Sequence, residues 1–244
     1  MTVPNLSTRT IYFNGKSFDE LGLIITKTVV PPVSHKKYKT VSIPDGGVIF
    51  EDTGVLDPIV FPINCTLTEP GKLREIYSIA AKPGILILPD EPDKYYYGML
   101  TIATPQNIIL HWNRITFTMT AEPYAYAVNN PDVVPVPETE GDHKIFRLNN
   151  LGTADCEPWY RFKAAAEGEL KVWLEDEAKA VKIPVKANDE VSIDVMRNNV
   201  KIGASHVEYK TEGDYLALKL KPGQNVIRTR NCSDLIIVFN ERWY

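Results

Sequence analysis

A mainly β protein, built as two sandwiches with one helix in the first, is expected from three features of the chain. Apolar runs of period two recur between Pro and Gly punctuation, helical spacing occurs once, and a Pro-rich acidic stretch divides the 244 residues near the middle. With 44% hydrophobic residues, each half has the apolar material for its own core.

In chain order, Ile11-Tyr12-Phe13 runs into Asn14-Gly15, a dipeptide suited to a tight hairpin turn, and Leu21 to Val30 follows as a second strand. Tyr38 to Ile43 reads as a strand ended by Pro44-Asp45-Gly46-Gly47. Ile59 to Thr68 alternates Phe61, Ile63, Cys65 and Leu67 with Pro62, Asn64 and Thr66, which places one face in a core. Leu73, Ile76, Tyr77 and Ala80 then fall at helical spacing. Thr68 can cap that run, Pro70 suits its first turn and Pro83-Gly84 stops it, so one helix is expected near 70–81. Strands resume at Ile85 to Leu88, Tyr95 to Ala103 and Ile108 to Glu122, the last with Ile115, Phe117 and Met119 opposite Thr116, Thr118 and Thr120.

Residues 131–143 carry Pro131, Pro135, Pro137, Glu138, Glu140, Gly141 and Asp142 and read as an extended acidic linker. This sets domains at 1–130 and 144–244. The second consists of nine short strand-like runs: Lys144 to Leu148, Trp159 to Ala164, Leu170 to Leu174, Lys179 to Val185, Val191 to Asp194, Lys201 to Ile202, Tyr215 to Leu220, Val226 to Thr229 and Leu235 to Phe239. Turn signals at regular spacing between them point to a two-sheet, jelly-roll-like sandwich.

Charge and motifs narrow the chemistry. A net charge of −4 with interspersed signs lacks the basic excess needed to grip a phosphate backbone. No apolar run approaches a membrane span, and Met1 to Asn5 lacks the cationic and apolar regions of an export signal. Cys65, Cys156 and Cys232 are far apart and read as reduced, buried thiols. Gly15-Lys16-Ser17 resembles the end of a phosphate loop, but Thr10 stands where its first glycine belongs, so a turn is the better reading. His35, His111, His143 and His206 are isolated, and neither a metal nor a cofactor is expected. The basic run His35-Lys36-Lys37-Tyr38-Lys39 reads as a solvated strand edge, where lysines discourage unwanted pairing.

Two rival chemistries stay open. Acidic clusters at Asp90, Glu91 and Asp93, at Glu175, Asp176 and Glu177, and at Asp189 and Glu190 could serve a glycoside hydrolase only by facing one another across a cleft; solvated turns are the simpler reading. Trp159 and Trp173 are the sugar-stacking candidates of a carbohydrate-binding module, with packing favoured because each sits in an apolar run or beside a proline.

The order of several segments resembles the distal tail protein (Dit) family of long-tailed, non-contractile bacteriophages. Phe13-Asn14-Gly15-Lys16-Ser17-Phe18-Asp19-Glu20-Leu21-Gly22-Leu23 is similar to its opening segment, and Ile43-Pro44-Asp45-Gly46-Gly47 to its Ile-Pro-Gly-Arg-Asp-Gly element, here shortened and without the arginine. Glu122-Pro123-Tyr124 resembles the end of its first domain. Asn149-Asn150-Leu151-Gly152-Thr153-Ala154 resembles the entry to its distal domain, and Leu220-Lys221-Pro222-Gly223-Gln224-Asn225 its Leu-x-Pro-Gly-x-Asn turn.

The resemblance implies a ring-forming N-terminal domain, commonly hexameric, with Ile43, Pro44, Asp45, Gly46 and Gly47 as interface candidates, and a galectin-like C-terminal sandwich. It further implies a non-enzymatic virion component of the tail tip, assembled in the host cytoplasm. Its expected partners are the tail tube protein, a tail-associated fibre or lysin protein and receptor-binding proteins, around a channel that passes DNA without binding it.

Overall fold

The computed structural model describes residues 10–43, 46–102, 113–130 and 132–244. It is a mainly β protein that separates into two compact units, Met1–Val128 with Tyr244, and Asn129–Trp243.

The first unit contains β1 (Tyr12–Phe13), β2 (Lys16–Ser17), β3 (Leu23–Ile25), β4 (Lys36–Ser42), β5 (Val48–Leu56), β6 (Ile59–Leu67), α1 (Leu73–Ala80), β7 (Gly84–Ile87), β8 (Lys94–Ile102), β9 (Asn113–Ala121) and β10 (Ala125–Ala127). Its main sheet runs β2-β1-β7-β8-β9-β6-β3, with β10 added against β8. The Asn14-Gly15 turn forms as expected, and Asn14 ties it down: its amide N–H donates to the Ile85 carbonyl at 2.9 Å, while its side-chain oxygen accepts from the Ile85 N–H at 3.1 Å. Alternation in β6 and β9 drives Phe61, Ile63, Cys65, Ile115, Phe117 and Met119 inward, all buried. Phe18 and Phe117 meet at 5.6 Å and Phe61 meets Tyr96 edge-on at 5.7 Å. The helix adds Ile76 and Ala80.

The second unit contains β11 (Pro137–Glu140), β12 (His143–Asn150), β13 (Trp159–Ala164), β14 (Gly168–Trp173), β15 (Val181–Val185), β16 (Glu190–Asp194), β17 (Asn199–Ile202), β18 (Ser205–His206), β19 (Gly223–Arg230), β20 (Cys232–Val238) and β21 (Arg242–Trp243). Two five-stranded sheets, β11-β12-β19-β14-β15 and β18-β17-β16-β13-β20, face each other over one apolar core. Tyr160 lies in its centre, fully buried, with its hydroxyl donating to the Leu218 carbonyl at 2.8 Å.

Four expectations require correction. Leu21 to Val30 is strand only over Leu23–Ile25, because the chain leaves β6 after Thr26 donates to the Asn64 carbonyl at 2.9 Å. Tyr215 to Leu220 is not a strand: Tyr215–Leu218 is a 3-10 turn, started by the Asp214 carboxylate accepting from the Leu216 N–H at 2.9 Å. A side-chain cap of this kind competes with strand pairing and wins here. The run from Lys179 likewise opens with a 3-10 turn at Glu177–Lys179, capped by Asp176. Residues 132–143 are not a free linker. Val133 pairs with Ile237, and Pro137–Glu140 is a fully exposed edge strand on β12, where proline and glutamates suit an edge that must stay unpaired on its far side.

Candidate functional site

The strand expected from Tyr38 is half of a hairpin whose other half the sequence reading missed. β4 and β5 form a two-stranded sheet of their own, with every residue of β4 and all but the last of β5 exposed. Such a ribbon is marginal in water on its side chains alone. Its root is therefore fastened. Asp57 N–H donates to the His35 carbonyl at 2.9 Å, Ser34 Oγ donates to the Asp57 carbonyl at 2.6 Å, Lys36 reaches Asp52 at 2.8 Å and Lys37 reaches Asp57 at 3.0 Å. The Lys36–Asp52 contact raises the Lys36 ammonium and lowers the Asp52 carboxyl from their ordinary values, through the hydrogen bond first and charge second.

A bulge between Lys36 and Tyr38 sharpens the twist at the same place. Gly54 makes it: its φ is +69°, and its N–H donates to the Asp52 carboxylate at 2.9 Å. Beyond the bulge the register is regular, pairing Tyr38 with Asp52, Thr40 with Phe50, Val41 with Ile49 and Ser42 with Val48.

That register gives the hairpin two apolar faces. Tyr38, Phe50 and Val48 lie on one, with the two rings edge-on at 6.4 Å, and Val41, Ile49 and Ile43 lie on the other. Phe50 is 67% exposed and Ile49 49%. Of the 22 exposed large hydrophobics among the described residues, nine fall between Val30 and Val55. A hydrophobic stripe on both sides of a protruding ribbon marks a surface built to be covered.

The ring-interface candidates form the tip of this hairpin. Ile43 N–H donates to the Gly47 carbonyl at 2.8 Å and Gly46 N–H to the Ile43 carbonyl at 3.1 Å. Pro44 and Asp45 lie outside the described residues.

The sugar-stacking candidates separate. Trp173 is closed off at 4% exposure, with His143 edge-on at 5.6 Å and the Arg230 guanidinium 5.7 Å from its ring, so it packs rather than stacks on a sugar. Trp159 instead stands on the outer face of the β13 sheet at 42% exposure, contrary to a core role, and Arg161 lies 5.0 Å over its ring. A groove of about 750 Å³ in this unit is bordered by Glu175, Asp176, Asp214, Lys221 and Arg228, with Trp173 and Leu174 among its walls. These acids have structural work: Asp176 and Asp214 cap turns and Glu175 pairs with Lys221 at 2.9 Å.

The other acidic clusters behave alike. Glu91 accepts from the Tyr96 hydroxyl at 2.7 Å, and Asp189 from the Lys186 N–H at 2.8 Å. No group of three or more metal-ligating side chains occurs among the described residues, and His111 lies outside them. No described helix is long and apolar enough to cross a membrane. All three cysteines are buried and free, and burial pushes Cys65 up to about 12 and Cys156 and Cys232 up to about 11.

Two motifs of the second unit owe their form to local chemistry. Asn225 stitches the Leu220–Asn225 turn, accepting from the Lys221 N–H at 2.9 Å and donating to the carbonyls of Lys221 at 2.7 Å and Gly223 at 2.9 Å. At the entry motif, Asn150 is buried and accepts from the Gly152 N–H at 3.0 Å. A Cβ on Gly152 would lie 2.4 Å from the Arg242 carbonyl oxygen, so only glycine fits.

This two-sheet unit is that of a phage tail component: residues 151–243 match the family model of the siphovirus-type tail component, C-terminal domain, and the Leu220–Asn225 turn falls inside the match. Over nearly the whole chain the fold is that of SPP1 Dit, whose crystal structure is described as a paradigm of hub adsorption apparatus in Gram-positive infecting phages. The two share a TM-score of 0.74 at 15% identity, covering 96% of this chain and 99% of that chain. No curated protein matches the sequence.

Proposed function

We propose that this chain is a structural, non-enzymatic hub of a phage tail tip, whose copies join through the β4–β5 arm into a closed ring, commonly a hexamer. The carrying observation is the arm itself: a fastened ribbon with apolar side chains on both faces and no cover within its own chain. Ring closure needs contacts between different faces of one subunit, and a protruding arm supplies one of the two. Ile43, Gly46 and Gly47 at its tip, with Pro44 and Asp45, are the interface residues on this reading.

The likeness to SPP1 Dit supports the rest. The ring joins the tail tube to a tail-associated fibre or lysin protein and leaves a channel through which DNA passes. The second unit is the outward platform for receptor-binding proteins. Assembly takes place in the host cytoplasm and the product resides in the virion.

Replacing residues 36–56 by a short Gly-Ser bridge tests this by light scattering at high protein concentration. The intact chain is expected as a ring-sized multimer and the armless chain as a folded monomer. An intact chain that stays monomeric and gives no ring in images of tails, or an armless chain that still forms the multimer, refutes the reading.

A further inference from the structure

We infer that the arm of one copy seats on the outer face of the β8–β9–β6 sheet of the next copy, an inference that rests on the ring reading above. That sheet buries one face in the core and leaves the other uncovered. The register sets its outer side chains in rows across three strands: Met99, Thr120 and Val60 in one, Thr101, Thr118 and Pro62 in the next. Val60 is 50% exposed and Met99 44%.

Neither row carries a charge. A phosphate backbone is therefore a poor occupant, since it binds through Lys and Arg. The Tyr38, Thr40, Phe50, Ser42 and Val48 face of the arm has the same composition, uncharged side chains of apolar and hydroxyl type. Both surfaces are exposed within one chain, so they do not meet in the same copy.

Dimensions also match. At about 3.3 Å per residue and about 4.8 Å between strands, the nine residues of β5 give an arm face of ~300 Å², and three strands of nine residues give a seat of ~400 Å². One arm face is well below the ~800 Å² per partner of a stable interface, whereas both faces together approach it. The arm must be covered on both sides, and a seat this wide covers one side completely.

Two double variants test the pairing. Val48→Glu/Phe50→Glu spoils the arm and leaves the seat, while Met99→Glu/Thr118→Glu spoils the seat and leaves the arm. All four side chains point away from the core, and thermal melts check that each variant folds. Each alone is expected to be monomeric, and an equal mixture is expected to give dimers, because the sound arm of one fits the sound seat of the other but no ring can close. A Phe50→Cys/Thr118→Cys chain should also crosslink between copies under mild oxidation, the three native cysteines being buried.

A seat variant that assembles like the intact chain, as a lumen-facing sheet would allow, overturns the inference while sparing the ring. So does a mixture that stays monomeric. An intact chain that never associates overturns both.

Discussion

Truncating Phe50 to alanine separates an assembly role from a stability role. A buried Phe side chain contributes ~1.5–3 kcal/mol, and Phe50 keeps two thirds of its surface exposed in the single copy, so ~1–2 kcal/mol is available per contact. That is a factor of ~5–30 in each interface constant. A six-membered ring has six such contacts, hence ~6–12 kcal/mol in all. Because six copies associate through five concentration factors, the midpoint of assembly should rise ~10–60-fold. Sedimentation velocity across a dilution series measures this midpoint. The melting temperature of the monomer should barely move, since exposed substitutions change stability by less than ~0.5 kcal/mol and the only packing lost is the contact with Tyr38. An unchanged midpoint, or a large fall in melting temperature, would refute the assignment of Phe50 to a contact between copies.

The second unit offers further tests. Asn225→Ala removes three hydrogen bonds from a nearly buried side chain and should cost ~2–3 kcal/mol in chemical denaturation. A loss under ~0.5 kcal/mol would show that water replaces the stitch. Tyr160→Phe should cost ~1–3 kcal/mol by leaving the Leu218 carbonyl without its donor in the core. Burial pushes the Glu157 carboxyl up, but Lys219 at 2.9 Å and Arg242 at 3.0 Å hold it below the ordinary 4.5. A depressed carboxyl contributes stability in full above pH 4.5 that is lost as pH falls through the folded value, so Glu157→Gln should flatten the acid limb of a stability-against-pH curve. A limb of unchanged slope would exclude it. With thiols at about 11 to 12, the native protein should resist thiol reagents at pH 8 and react with all three cysteines only on unfolding.

Much of the fold was legible in the sequence because alternation is a local property. Phe61 to Leu67 and Ile115 to Met119 announce which face is buried whatever lies opposite, and Leu73 to Ala80 announces a helix by spacing alone. The corrected segments share another cause. Tyr215–Leu218 has the composition of a strand, yet one carboxylate at Asp214 captures the Leu216 amide and curls it. Pro137–Glu140 has the composition of a linker, yet β12 offers it a free edge.

The candidate site was half legible. The Ile43–Gly47 turn could be named from its resemblance and its glycines, but Val48–Leu56 escaped notice because Glu51, Asp52, Thr53 and Gly54 interrupt its apolar run. Those residues make the bulge and the ion pair that hold the arm.

Composition, period and turn chemistry fixed what each stretch can become: two β units, one helix, buried thiols and no charge for gripping DNA. Only the tertiary structure decided which apolar residues are used up in cores and which are left over. Burial depends on what packs opposite, and no local pattern distinguishes the Phe61 that a sheet encloses from the Phe50 that a ribbon presents to solvent.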